Sequence, residues 1–185
     1  MAGTDEMVTM NGYRTIVVGT DGSALAGPTV ARAAWLAAHE EADLVVVCAW
    51  SSLSRRQEAR NTATLGGDTS FGQVKGHAAA TEAVRQGVAV ARQAGARVAG
   101  ALLVDGEPAA ALLQVAGQYR ADLVVVGAIQ DVSIADRLLG TVATDVVKRA
   151  TCEVLIVRPQ MPVTELEVPE DAVETPLPPE QVPLD

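Results

Sequence analysis

Two short stretches hold the residues whose types and spacing could do chemistry. The first is "VVGTDGS", Val17 to Ser23, in which Asp21 follows an apolar run and is itself followed by Gly22 and Ser23. A carboxylate there can accept a hydrogen bond from a ribose hydroxyl or a base amine, or it can cap the next helix as a turn residue. The second is "VVVGAIQDVSIADRLLGTVATDVV", Val124 to Val147. Gly127 lets the backbone turn sharply after an apolar strand. Gly140-Thr141 then opens a helix, where free N–H groups and the helix dipole favour an anion. The Thr141 hydroxyl has two competing uses, capping that helix or bonding a phosphate oxygen. Between the glycines lie Gln130 and Asp131, one bulky and one negatively charged. Neither stretch is a dinucleotide fingerprint or a P-loop, because the G-x-G-x-x-G spacing and a following G-K-[ST] are both missing.

The elements that must position these stretches read as an alternation of strands and helices. Short continuous apolar runs predict strands at Thr15–Gly19, Leu44–Trp50, Leu123–Gly127 and Glu153–Val157, with a weaker fifth at Arg97–Val104. Runs without polar alternation mean both faces of the sheet are covered, so the sheet should be parallel. Helical spacing of apolar residues predicts helices over Pro28–Glu40, Gly76–Ala94, Glu107–Tyr119 and Thr141–Ala150. Such an alternation gives right-handed crossovers and a doubly wound α/β fold of Rossmann-like type, whose ligands sit beyond the carboxyl ends of the strands.

Composition narrows the function classes. Aromatic residues are only 3% of the 185, so the core must be built from Ala, Val and Leu. The net charge of −9 is concentrated at one end: residues 160–185 hold seven acids and no base, leaving 16 acids against 14 bases in the rest. A near-neutral body speaks against nucleic-acid binding. Cys48 and Cys152 each lie in or beside apolar runs and read as free thiols of a reducing cytoplasm. Residues 1–12 are expected to be a flexible N-terminus with no signal peptide, and no apolar run is long enough to span a membrane. Within the main unit, 13–159, the polar insert 51–74 carries Arg55, Arg56 and Arg60, which as a lid could fold over phosphates. Residues 160–185, acidic and rich in proline, are expected to be a disordered tail. His39 and His77 stand isolated on helices, without a nucleophile or metal-ligand spacing nearby.

"TIVVGTDGS" at the front, "GEPAAALLQVA" in the middle and "DLVVVG…RLLGTVATDVVKRATCEVLIVRP" at the back resemble the universal stress protein family, from about Tyr13 to Pro159. The resemblance implies a five-stranded parallel sheet in order 3-2-1-4-5, with the adenine nucleotide alpha hydrolase-like arrangement. It also implies ATP or cyclic AMP as ligand, with Mg accompanying ATP, and a homodimer formed through the last strand, Glu153–Val157. Against the family's phosphate motif, G-x2-G-x9-G-[ST], Gly127, Gly140 and Thr141 match while Gln130 stands at the middle glycine. If that position is left-handed, Gln130 costs roughly 1–2 kcal/mol; if right-handed, close to nothing. By the same resemblance Thr20, Asp21, Ala49 and Val142 surround the adenosine part.

These observations support a non-catalytic regulator that binds an adenine nucleotide at the carboxyl edge of the sheet. The alternative is a dimeric adaptor that binds no nucleotide and captures a protein partner through its tail. No catalytic triad is expected, and any ATP hydrolysis would be slow and incidental.

Overall fold

The computed structural model describes residues 12–52, 73–128 and 140–158. The N-terminal segment, most of the insert with its three arginines, Gln130 and Asp131, and the proline-rich tail lie outside the described residues. Among the described residues ten elements follow one another: β1 (Thr15–Gly19), α1 (Ala26–His39), β2 (Asp43–Ser51), β3 (Val74–Lys75), α2 (His77–Gln93), β4 (Arg97–Asp105), α3 (Pro108–Tyr119), β5 (Leu123–Gly127), α4 (Thr141–Arg149) and β6 (Glu153–Val157).

All pairings among the described strands are parallel. The order is β3-β2-β1-β5-β6, with β4 also paired to β2. Leaving β3 aside, the five long strands run β4-β2-β1-β5-β6, the expected 3-2-1-4-5 winding. β3 itself was not expected. Its two residues pair with Trp50 and Ser51 at the end of β2, whereas β1 reaches only as far as Val47. Ser51 and Val74 therefore belong to the sheet and not to the polar insert. Helix α1 starts at Ala26, two residues before the proline that was expected to open it. Pro28 still lies within the first turn, where a missing N–H is tolerated because no intrahelical partner exists for it.

The strand period of two divides the core. Ile16, Val18, Leu44, Val46, Leu123 and Val125 meet the alanines of α1 and α2, among them Ala33, Ala34, Ala37 and Ala91. Val17, Val45, Val47, Val124 and Val126 meet α3 and α4 through Leu112, Val115, Ala143 and Val146. Alanine stripes on the helices bring them close to a sheet of β-branched residues, so the core is built with few aromatics. At the amino end of the sheet the Asp122 carboxylate accepts from the backbone N–H groups of Arg14 (2.7 Å) and Thr15 (2.9 Å), tying the entry of β1 to that of β5. Tyr13 donates its hydroxyl proton to Glu153 at the start of β6.

The two edges of the sheet differ. In β4, Leu44 pairs with Val98 and Val45 with Gly100, so Ala99 is bulged out, and the strand is bounded by the exposed Arg97 and Asp105. Bulges and charges of this kind discourage further strand pairing. In β6 the pairing to β5 runs in regular register, and Val154 to Val157 are all partly exposed. Among the described residues no helix is long and apolar enough to cross a membrane.

Candidate functional site

In a doubly wound sheet the winding reverses between the first strand and the first strand on its other side, here between β1 and β5, and the helices that follow them leave toward opposite faces. The crevice this creates is a cavity of about 250 Å³. Its floor is Gly19 of β1, Val47 and Ala49 of β2, and Val126 and Gly127 of β5. One wall is polar and comes from the β1–α1 loop and the first turn of α1, with Thr20, Asp21, Ser23 and Thr29. The other is apolar and comes from Pro108 and Leu112 of α3 and Val142 of α4. An apolar slot beside a few convergent polar groups suits a planar heterocycle carrying a polar appendage.

Among the described residues, Asp21 is the only charged side chain lining the cavity. One of its oxygens accepts from the Ser23 N–H at 2.9 Å, which fixes the carboxylate in the loop turn. Behind it lies Cys48, fully buried. Burial, and secondarily the Asp21 charge, push the Cys48 thiol up to about 12, so it stays protonated and unreactive.

Gly127 owes its identity to a neighbour. Its φ is not among the positive values, and the next N–H, that of Ala128, donates to the Val157 carbonyl at 2.9 Å, so the chain stays bonded to β6 one residue beyond the end of β5 and does not turn sharply at Gly127. The expectation of a glycine turn is corrected: a Cβ at 127 would lie 2.8 Å from Thr29 Oγ1. Thr29 is 3% exposed and donates its hydroxyl proton to the Leu25 carbonyl at 2.8 Å, so it cannot swing aside without losing a hydrogen bond.

Gly140 does have a left-handed φ, 79° with ψ 156°, a region that side chains with a Cβ avoid. It is the N-cap of α4, and a glycine offers no side chain to satisfy the first N–H groups. Thr141 is the first helical residue and is exposed, so it does not cap the helix. That resolves one of the two uses expected for its hydroxyl and leaves the other. The contrast with α3 is direct. There the Glu107 carboxylate accepts from the Ala109 and Ala110 N–H groups at 2.9 and 2.8 Å, so that helix has its own anion. The α1 start also lacks a side-chain cap and has no acid in its first turn. Two helix N-termini thus border the cavity with no carboxylate of their own, through Ala26 and Val142.

Of the eight residues singled out in the sequence, Thr20, Asp21, Ala49, Gly127 and Val142 line this one cavity. Gly140 and Thr141 adjoin it through Val142 at the start of α4. Gln130 lies outside the described residues. The sequence reading missed Thr29, Leu112, Pro108 and Ser23, which come from helices and a loop turn rather than from a glycine motif. His77 rests edge-on against Trp50 with ring centroids 5.0 Å apart, and His39 packs on Trp35 at 4.0 Å. Among the described residues no cluster of His, Cys, Asp and Glu is placed to hold a metal ion.

Comparison with known proteins places this arrangement. The sequence model of the universal stress protein family matches residues 12–158. Universal stress protein Rv1636 of Mycobacterium tuberculosis is 38% identical over 148 residues, covering 80% of this chain and 98% of the relative. Among solved structures, a universal stress protein in complex with cAMP is 33% identical, with a TM-score of 0.57 over 80% of this chain and 98% of that one. The universal stress protein from Archaeoglobus fulgidus in complex with dAMP, at 22% identity and a TM-score of 0.56, covers 78% of this chain and 98% of its own, and shares the fold.

Proposed function

The chain belongs to the universal stress protein family, and from that premise we propose that it binds an adenine nucleotide in the β1/β5 crevice and acts as a cytoplasmic, non-catalytic regulator. The observation that carries the reading is the convergence of an apolar slot, an acceptor wall and the α4 N-terminus on one cavity. The base lies against Val47, Ala49, Pro108 and Leu112. The phosphate meets the N–H groups that follow Gly140, and the Thr141 hydroxyl donates to one of its oxygens.

Charge favours cyclic AMP over ATP. Among the described residues the lining offers one negative side chain, Asp21, and no cation, while backbone N–H groups and helix dipoles supply only partial charges. A singly charged cyclic phosphodiester is satisfied by these, whereas a multiply charged triphosphate adds repulsion from Asp21. Mg accompanying ATP would supply the missing positive charge, with Asp21 and Thr141 as oxygen donors among the described residues. A universal stress protein 33% identical to this chain has been solved with cAMP, which supports cyclic AMP as a ligand of this crevice.

The protein acts as a homodimer in this reading. Edge strand β6 has neither bulge nor lysine nor proline to repel a partner, and its partly exposed Val154–Val157 pairs with its symmetry mate. Occupancy of the crevice reaches that surface through Ala128, whose N–H is bonded to the Val157 carbonyl.

Thermal unfolding with and without nucleotide tests the binding. At 100 times the dissociation constant a ligand adds about 2.7 kcal/mol of stability, which raises Tm by several degrees. Gly140→Asp, which strains the cap and places a carboxylate where the phosphate belongs, should remove that increment. An unchanged increment in the variant would move the phosphate elsewhere.

A further inference from the structure

Resting on the nucleotide-binding reading, we propose that Thr29 is a specificity-determining residue: its Oγ1 accepts a hydrogen bond from the ligand's ribose 2′-hydroxyl and makes the site prefer ribonucleotides to deoxyribonucleotides.

Three observations lead there. First, the direction of the hydroxyl proton is fixed. Oγ1 lies 2.8 Å from the Leu25 carbonyl, and a carbonyl can only accept, so the Thr29 proton is spent on it. What Oγ1 has left is acceptor capacity. Second, the place is right for a sugar. Thr29 lines the cavity beside Gly127, on the polar wall facing the apolar slot, and the α4 N-terminus borders the same cavity. A base in the slot and a phosphate at the helix leave the sugar between them, against this wall. Third, Thr29 is 97% buried, so water competes poorly for its remaining lone pairs. A 2′-hydroxyl is a donor, and in a 3′,5′-cyclic nucleotide it is the only free sugar hydroxyl. A deoxyribose would bury that acceptor without a partner, which costs affinity.

The experiment titrates cyclic AMP and 2′-deoxy cyclic AMP into the full-length protein and into Thr29→Val and Thr29→Ser by calorimetry. The wild type should bind the ribonucleotide about 3- to 10-fold more tightly, the effect of one neutral hydrogen bond. Thr29→Val, nearly the same shape without the hydroxyl, should lose the preference, because cyclic AMP loses its hydrogen bond and the deoxy ligand no longer leaves an acceptor unpaired. Its affinity for the deoxy ligand should not fall, and should rise to the extent that the unpaired acceptor had cost binding, which separates loss of a contact from damage to the pocket. Thr29→Ser should keep the preference. Equal binding of both ligands by wild type, or a preference that survives in Thr29→Val, overturns the proposal while leaving nucleotide binding intact. Binding of neither ligand overturns the underlying reading, and the proposal with it.

Discussion

At the scale of residues, the account turns on two close approaches, one between side chain and backbone and one between backbone and ligand. Thr29 Oγ1 stands where a Cβ of residue 127 would go, 2.8 Å away, so Gly127→Ala should destabilise the protein by about 1–3 kcal/mol through overpacking. In Thr29→Ala the nearest side-chain atom to that Cβ would be the Cβ of residue 29, at 3.9 Å. The double variant Thr29→Ala/Gly127→Ala should therefore cost less than the sum of the singles, by about 0.5 kcal/mol or more. Urea unfolding of the four proteins measures the coupling, and strict additivity would refute the clash. Thr141 offers the complementary test. It is exposed and first in α4, so Thr141→Glu adds a carboxylate where the helix dipole welcomes one, about 0.3–1 kcal/mol of stabilisation. The same carboxylate occupies the anion's place. The variant should melt no lower than wild type and show no nucleotide-dependent shift, whereas a retained shift would place the phosphate elsewhere.

At the scale of elements, β1 and β5 position the site, and Asp122 joins their entries. Burial pushes the Asp122 carboxyl upward, but the N–H groups of Arg14 and Thr15 and the Arg14 guanidinium outweigh it, so the folded carboxyl is held below the usual range. A depressed carboxyl contributes stability above its unfolded value, near pH 3.9, and that contribution fades as pH falls through the folded value. Asp122→Asn should thus lower stability at pH 7 and flatten its decline in acid; chemical denaturation from neutral pH to about pH 2.5 would show parallel curves if Asp122 played no part. The strands themselves were legible because buried parallel strands leave unbroken apolar runs, and Thr15–Gly19, Leu123–Gly127 and Glu153–Val157 form with the expected bounds. β3 was not legible, since two residues at the end of a polar insert carry no period. Most of the site's glycines and hydroxyls were legible as a motif. Thr29, Pro108 and Leu112 were not, because only the β1/β5 crossover brings α1 and α3 to one crevice. Gly127 was legible as a necessary glycine but for the wrong reason, since a close approach by another element leaves no local trace in the sequence.

At the scale of the whole molecule, the proposed dimer rests on the difference between the two sheet edges. The bulge at Ala99 and the charges at its ends guard β4, while β6 continues the ladder of β5 with a half-exposed outer face. Sedimentation velocity at micromolar concentration should find a dimer, and a monomer alone would refute β6 as an interface. The central claim is that the crevice between β1 and β5 takes an adenine nucleotide by its base, sugar and phosphate together. Isothermal titration of cyclic AMP into the wild-type protein tests it most directly. The account predicts a saturable, single-site isotherm that is tighter for cyclic AMP than for ATP without Mg; the absence of heat for cyclic AMP, ADP and ATP at millimolar concentration would contradict it.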